Sequence, residues 1–387
     1  MPIEQPAFLQ RIAEEARLFR AKAHTPSDLE GDWQAYMRQA EQCVPGLTVR
    51  AEQATVCLGE LSPGCQTCKD GAWDCLFVTQ KCNLSCSFCY SPRSLAQDFA
   101  GSAFGDQPEE IAANYARTSI RGISFSGGEP FLEPGRLLSW VSFFRGRFPE
   151  AYLWIYTNGT QMEERTLQEL GVLHVDEIRF NTAASGYDNP AVMEKMRMAA
   201  GYFPHLTIEI PAIPEHARKL SGCLERWAGL GVHYLNLHEL LYEPGTNSWE
   251  MQGPRQPICL EDGHMTALHP ESRAMILEVI EQVRREGLPI AVNHCSLPNK
   301  IHQIRGRRKS LLPVTKAPYE KLVEGELLES YYLYRWQEDA LRVHPDELTA
   351  MRTLYPDYRC VRLERTAPLS IGDPGRWVTC EEEAGNA

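Results

Sequence analysis

The sequence predicts an α/β protein built on a full or partial (β/α) barrel, with an N-terminal helical and cysteine-rich extension and a C-terminal extension. Three observations carry that expectation. Short apolar runs of strand length alternate with helical stripes between residues 76 and 300. Proline opens and glycine closes several stripes, the positions that suit each residue at a helix end. Polar residues gather where the strand-like runs end, as they do where functional loops leave a barrel.

Taken in order, residues 1–56 read as a helical extension. Leu9, Ile12, Ala16 and Phe19 recur at helical spacing, and Trp33, Met37, Ala40 and Val44 make a second stripe that Pro45 and Gly46 end. Residues 57–75 are a cysteine-rich segment. The barrel is expected over 76–300, with strands at 76–79, 122–125, 152–156, 177–180, 207–210, 234–237 and 289–293. Between them lie stripes such as Leu137, Val141, Phe144 and Phe148 behind Pro134, and Ile276, Leu277, Ile280 and Val283 between Pro270 and Gly287. Repeated strand–helix units imply a parallel sheet with right-handed crossovers. Residues 301–387 break the rhythm with a basic run, an aromatic strand-like run (Tyr331, Tyr332, Tyr334, Trp336) and a polar tail.

Composition excludes some classes. No run of eighteen apolar residues is present, so no membrane span is expected. The first residues carry acids and no apolar h-region, which does not read as a secretory signal. A formal charge of −12 argues against nucleic acid as a partner. Thirteen cysteines are present, seven of them between Cys57 and Cys89. Without a secretory signal that density reads as metal binding, and thiolate-held iron places the expected location in the reducing cytoplasm.

Cys82, Cys86 and Cys89 are spaced C-x3-C-x2-C in the loop after the first expected barrel strand. Zinc sites draw on two separated pairs. Three close thiolates suit a [4Fe-4S] cubane with one iron left open. Ser126, Gly127, Gly128, Glu129 and Pro130 follow the second strand, and the glycines allow close backbone approach. Asn158, Asn181 and Glu209 stand at the ends of the third, fourth and fifth strands.

These motifs resemble the radical S-adenosylmethionine superfamily, whose signature is this cysteine spacing with an aromatic residue before the third cysteine, here Phe88. The resemblance implies a barrel of the radical S-adenosylmethionine type. It also implies reductive cleavage of S-adenosylmethionine at the cluster and a 5′-deoxyadenosyl radical that abstracts hydrogen. It assigns the methionyl end to the loop of Ser126, Gly127, Gly128 and Glu129, with the ammonium on the last three. Ribose and adenine fall to Asn158, Asn181 and Glu209.

The resemblance covers about residues 57–310 and is closest to a pyruvate-formate-lyase-activating-enzyme-like group. Its further marks are the stretch from Gly64 to Gly71 with Cys65 and Cys68, residues 176–180, 209–214 and 235–240, and Asn293, His294 and Cys295.

Four more cysteines, Cys57, Cys65, Cys68 and Cys75, are spaced C-x7-C-x2-C-x6-C. An auxiliary [4Fe-4S] cluster is the preferred reading; zinc and buried free thiols stay open. Cys295 and Glu239, at the ends of the seventh and sixth strands, are the candidate catalytic residues. Cys295 could also ligate the auxiliary centre or pack. Lys300, Arg305, Arg307, Arg308 and Lys309 form a basic segment suited to an anionic substrate, to an acidic electron carrier of flavodoxin or ferredoxin type, or to plain solvation. His216, His233 and His238 read as packing or surface residues. The expected substrate is a small molecule or peptide. The alternatives are a backbone glycine of a partner glycyl-radical enzyme and, third, a noncatalytic metal-binding scaffold.

Overall fold

The seven runs read as strands pair in one sheet, and a hairpin not foreseen extends it. The computed structural model describes residues 6–22, 29–92, 94–260, 265–336 and 339–382. β1 (Leu47–Arg50) and β2 (Thr55–Leu58) form the hairpin. β3 (Trp73–Thr79), β4 (Gly122–Gly127), β5 (Tyr152–Thr157), β6 (Glu177–Phe180), β7 (His205–Ala212) and β8 (Tyr234–Glu239) follow. After the short β9 (Leu241–Tyr242), β10 (Gln256–Cys259) and β11 (Met265–Leu268), which pair among themselves, β12 (Ala291–Cys295) returns to the main sheet. Its order is β1-β2-β12-β8-β7-β6-β5-β4-β3. The pairs from β3 through β8 to β12 are parallel, while β2 joins β12 antiparallel.

The helices are α1 (Ala7–Lys22), α2 (Leu29–Cys43), α3 (Pro63–Lys69), α4 (Pro108–Tyr115), α5 (Pro134–Arg147), α6 (Glu164–Val172), α7 (Pro190–Ala199), α8 (Ala217–Ser221), α9 (Leu224–Gly229), α10 (Ser272–Arg285), α11 (Leu297–Thr315) and α12 (Leu348–Leu354). None among the described residues is long and apolar enough to cross a membrane.

The chain divides into two units, residues 28–258 with 265–307, and residues 1–27 with 259–264 and 308–387. This corrects the expected boundaries. The 1–56 extension is split, with α2 in the barrel unit and α1 in the other. The 57–75 segment is no appendage, since it supplies the end of β2, all of α3 and the start of β3 to the barrel unit. The C-terminal boundary falls after Arg307, within α11.

α3 shows that the sheet curls. Pro63 starts the helix and the Ser62 hydroxyl accepts from the Cys65 amide at 3.1 Å, a cap for an otherwise orphaned donor. This short helix touches β3, β4 and β5. A Cβ on Gly64 would lie 2.6 Å from the Arg179 guanidinium of β6. Cys65 meets Asn236 of β8 and Asn293 of β12. One helix can reach strands from one edge to nearly the other only if the sheet wraps around it, so the architecture is a partial barrel with α3 inside.

Strand alternation then sorts the side chains. Trp154, Tyr156, Arg179, Glu209, Asn236, His238, Asn293 and Cys295 face the interior. Their neighbours Leu76, Val78, Ile155, Ile178 and Leu235 turn outward, fully buried under the crossover helices. Asp74 also turns outward, where the Tyr115 hydroxyl and Arg307 donate to it at 2.8 and 2.6 Å.

The second unit is an antiparallel sheet of β13 (Lys321–Val323), β14 (Leu327–Trp336), β15 (Asp339–Val343), β16 (Arg359–Thr366) and β17 (Trp377–Glu382). α1 packs on it, burying Leu9 and Ile12 against Tyr334, Val361 and Leu363. The side chains of Phe19 and Trp336, the last members of two expected stripes, lie outside the described residues.

Candidate functional site

The loop after β3 presents its three thiols to one cavity of about 390 Å³, which is also lined by Phe88, Ser126, Gly127 and Gly128. That size is ordinary for a small-molecule site. Cys82 is exposed, and Cys86 and Cys89 are half-buried. The loop is held at several points. The Leu84 and Ser91 amides each lie 3.4 Å from a sulfur, that of Cys82 and Cys89 respectively. Asn247 donates to the Cys86 carbonyl at 3.0 Å, and Asn158 to Asn83 at 3.0 Å. Amides aimed at sulfur favour thiolate, the form that binds iron. Three such thiols beside open space suit a cluster with one free iron. No three His, Cys, Asp or Glu side chains among the described residues are gathered as a single metal ion would need.

The glycines serve a purpose that their sequence position did not reveal. A Cβ on Gly127, whose φ is +123°, would fall 1.9 Å from the Thr79 carbonyl oxygen. One on Gly128 would fall 2.2 Å from that of Lys81. The Gly128 and Glu129 amides donate to these same carbonyls at 2.7 and 2.8 Å. The end of β4 is therefore laid directly against the chain entering the thiol loop, and the bare backbone is required by protein as much as by any ligand.

Glu129 corrects an expectation. It stands fully buried behind the cavity wall. Its carboxylate accepts from the Thr157 hydroxyl at 2.8 Å and from the amides of Asn158 at 2.7 Å and Phe131 at 3.2 Å. Burial outweighs these bonds and lifts its pKa to about 7. It ties the end of β4 to the end of β5.

Asn158, Asn181 and Glu209 all line the cavity. Asn181 also caps the turn after β6, accepting from the Ala184 amide at 3.2 Å. Glu209 is engaged deeper down. Arg179 donates to it at 2.7 Å, Asn236 at 3.0 Å, and His238 Nε2 lies 2.8 Å away. Burial opposes ionisation, but Arg179 and then His238 hold the carboxyl far below its usual range. Arg179 and His238 are wall residues that sequence reasoning missed or set aside. Arg179 lies two positions from Asn181, already noticed, and His238 two positions from Asn236, and each shares that neighbour's face.

Glu239 is a second correction. One position beyond His238, it points out of the barrel. Arg273 of α10 donates to it at 2.6 Å, the Leu297 amide at 2.7 Å, and His294 Nε2 is 3.2 Å away. It is a buried structural carboxylate, held by His294 and Arg273 at a pKa of about 2 despite burial.

Cys295 pairs in register with His238 but lies under the wall rather than on it, buried, with the Asn299 amide donating to its sulfur at 3.2 Å. Burial would raise its pKa, yet His238 and then Lys69 and Lys300 bring it down to about 6. His238 itself rises to about 9 against its own burial.

Members of the basic segment have different surroundings. Lys300 lines the cavity over the Tyr90 ring, Arg307 is spent on Asp74, and Lys309 approaches Glu326. Of the remaining cysteines, Cys75 hydrogen-bonds to Ser124 and Ser126 of β4, while Cys57 and Cys65 pack together with Leu61.

Comparison with known proteins bears on this geometry. A family model for a 4Fe-4S single cluster domain matches residues 69–179. The chain is 25% identical over 292 residues to a putative glycyl-radical enzyme activating enzyme of Methanocaldococcus jannaschii, covering 72% of this chain and 76% of that one. It is 32% identical over 123 residues to the anaerobic ribonucleoside-triphosphate reductase-activating protein of Enterobacteria phage T4, covering 30% of this chain and 69% of that one. Among solved structures, Streptococcus suis SuiB bound to S-adenosylmethionine superposes at a TM-score of 0.43 with 10% identity, over 58% of this chain and half of that one.

Proposed function

We propose that this chain, which belongs to the radical S-adenosylmethionine superfamily, holds its catalytic [4Fe-4S] cluster through Cys82, Cys86 and Cys89 and abstracts hydrogen from a small-molecule or peptide substrate. The observation that carries the proposal is the single cavity shared by the three loop thiols, the Ser126–Gly127–Gly128 backbone and the polar strand ends of β5 to β7. When bound, the cluster supplies the electron that cleaves S-adenosylmethionine to methionine and a 5′-deoxyadenosyl radical.

The chain's own part is positioning. Gly127 and Gly128 fix the β4 end against the thiol loop. Glu129 joins that end to Thr157 and Asn158. Asn158 in turn holds Asn83, so the cluster loop and the nucleoside side of the cavity are braced together. Below them Arg179, Glu209 and His238 form a charged layer whose hydrogen bonds leave little freedom to move. Phe88, buried beside the thiols, keeps water from that side. Lys300 sits on the wall with no carboxylate partner among the described residues and suits an anionic group of cofactor or substrate.

A second reading has a specific observation in its favour. Of the two relatives described above, one is named a putative activating enzyme and the other an activating protein. On that reading the hydrogen comes from a backbone glycine of a partner enzyme. Reduction by a flavodoxin or ferredoxin type of donor in the cytoplasm fits either reading.

Anaerobic assay with reductant tests the proposal. The expected result is 5′-deoxyadenosine formed from S-adenosylmethionine, with deuterium entering it from a labelled substrate pool. Absence of cleavage by fully loaded protein would sink it. Deuterium from a glycine-labelled partner protein alone would select the second reading.

A further inference from the structure

We infer that the barrel floor holds a second iron–sulfur centre whose ligands are Cys57, Cys65, Cys68 and Cys295. The last thiol comes from β12, in place of the Cys75 that spacing alone suggests. The inference goes beyond the proposed function and does not depend on it.

Convergence is the first ground. Cys65, Cys68 and Lys69 stand at i, i+3 and i+4 of α3 and share one face. Cys57 of β2 pairs in register with Asn293 of β12, and Cys295, two residues on, points the same way. The Asn293 side chain bridges two of the thiols, accepting from Cys57 at 3.9 Å and donating to Cys65 at 3.8 Å. The thiols also act on one another electrostatically, Cys68 with Cys295 and Cys65, and Cys57 with Cys65 and Cys295. Cys75 has other company, the two serines of β4 with Asp74 and Arg307.

Charge is the second ground. Lys69 is 5% exposed, and its ammonium donates to Asn299 at 2.8 Å. No carboxylate among the described residues pairs with it at ion-pair distance. A buried ammonium is favoured by negative charge placed beside it. Lys69 acts on all four of these thiols and on neighbouring His294. Four thiolates on a [4Fe-4S] core leave a net negative centre, which supplies the missing counter-charge.

The third ground is the outer shell. Asn236 donates to Cys65 at 3.2 Å and Asn299 to Cys295 at 3.2 Å. Amide donors to ligating sulfur are the usual tuning elements of such centres. Zinc would draw all four sulfurs onto one ion at about 2.3 Å. These thiols are not gathered so tightly, and neither are the loop thiols assigned to a cubane.

The test uses full-length protein with Cys82, Cys86 and Cys89 all changed to Ala, loaded anaerobically with iron and sulfide. Iron and sulfide near four per chain, with a [4Fe-4S] Mössbauer signature, are expected. Adding Cys295→Ser or Cys65→Ser should remove them, while adding Cys75→Ser should not. Circular dichroism confirms that each variant folds, and either of the first two suffices if the other does not. No iron in the triple variant, zinc in its place, or loss with Cys75 and not with Cys295 would overturn the assignment. Lys69→Gln should move the floor centre's reduction potential to more negative values in an EPR-monitored titration. An unmoved potential would reject the counter-charge argument. Since the loop thiols are absent throughout, failure here leaves the cleavage chemistry untouched.

Discussion

Thiols at the mouth and at the floor of the same barrel are held in opposite ways. Those at the mouth lie on a loop, exposed or half-buried, gripped by backbone amides of neighbouring residues and facing open space. Those at the floor come from a helix and two strands, are shielded by the curled sheet, and are gripped by asparagine side chains, Asn236 and Asn293 far from Cys65 in sequence and Asn299 one helical turn from Cys295. A loop with three thiols leaves one metal position for an incoming ligand. A closed set of four leaves none, and suits an electron relay or a structural centre. The difference separates chemistry from support within one fold.

The sharpest way to break this contrast is the triple alanine variant at Cys82, Cys86 and Cys89. It should abolish 5′-deoxyadenosine formation, measured by chromatography, while the Cys65→Ser variant retains uncoupled cleavage. Equal loss in both would mean that mouth and floor are one functional unit.

Glu239 supplies the control for mere stability. Glu239→Gln breaks a buried ion pair with Arg273 and should cost about 3–5 kcal/mol in denaturant unfolding, yet leave cleavage by the folded fraction unchanged. Its pKa is depressed to about 2 from 4.5. The stability it contributes is therefore present above pH 4.5 and lost as pH falls toward 2. Metal-free wild-type protein should lose stability across that window, and Glu239→Gln should lose less. His294, whose pKa burial lowers below 6.5, adds a loss of the same sign beginning nearer neutrality, and that part should persist in the variant.

Gly128→Val probes how tightly the mouth is assembled. The new Cβ would meet the Lys81 and Gln80 carbonyls at 2.2 and 2.6 Å, so the thiol loop itself must shift. Overpacking of this kind costs about 1–3 kcal/mol. Both mouth iron content and S-adenosylmethionine affinity should fall, and calorimetry showing lost affinity with full iron would contradict the packing argument. The smallest effect is expected from Asn83→Ala, which removes bonds to Asn158 and Thr160 worth about 0.5–1.5 kcal/mol each. A several-fold weaker cofactor affinity by the same calorimetry would fit.

Much of this was legible in the sequence because its signals are local. The seven parallel strands are short apolar runs with polar ends, and the C-x3-C-x2-C loop is complete within eight residues. What escaped depends on distant partners or unusual backbone. The β1–β2 hairpin turns on Ala51, Glu52 and Gln53, all at positive φ, and no glycine or asparagine announces it. Glu239 and His238 are adjacent in sequence, and only the pleat decides that one faces Arg273 and the other the cavity. Cys75 sits closer in sequence to Cys68 than Cys295 does, but spacing carries no information about which strand curls back over α3.

The enclosure of α3 also governs how the chain reaches this state. Cys65 meets Asn293 across 228 residues of sequence, and the strands between them are added one after another in the sheet. Contacts of such long range are costly in loop-closure entropy and slow to form. β12 closes the floor by pairing with both β2 and β8, so until it docks α3 and its thiols are reachable by iron donors or by oxidants. Oxygen present before closure would trap the helix with thiols in the wrong oxidation state, and the same chain folded anaerobically would not meet that fate.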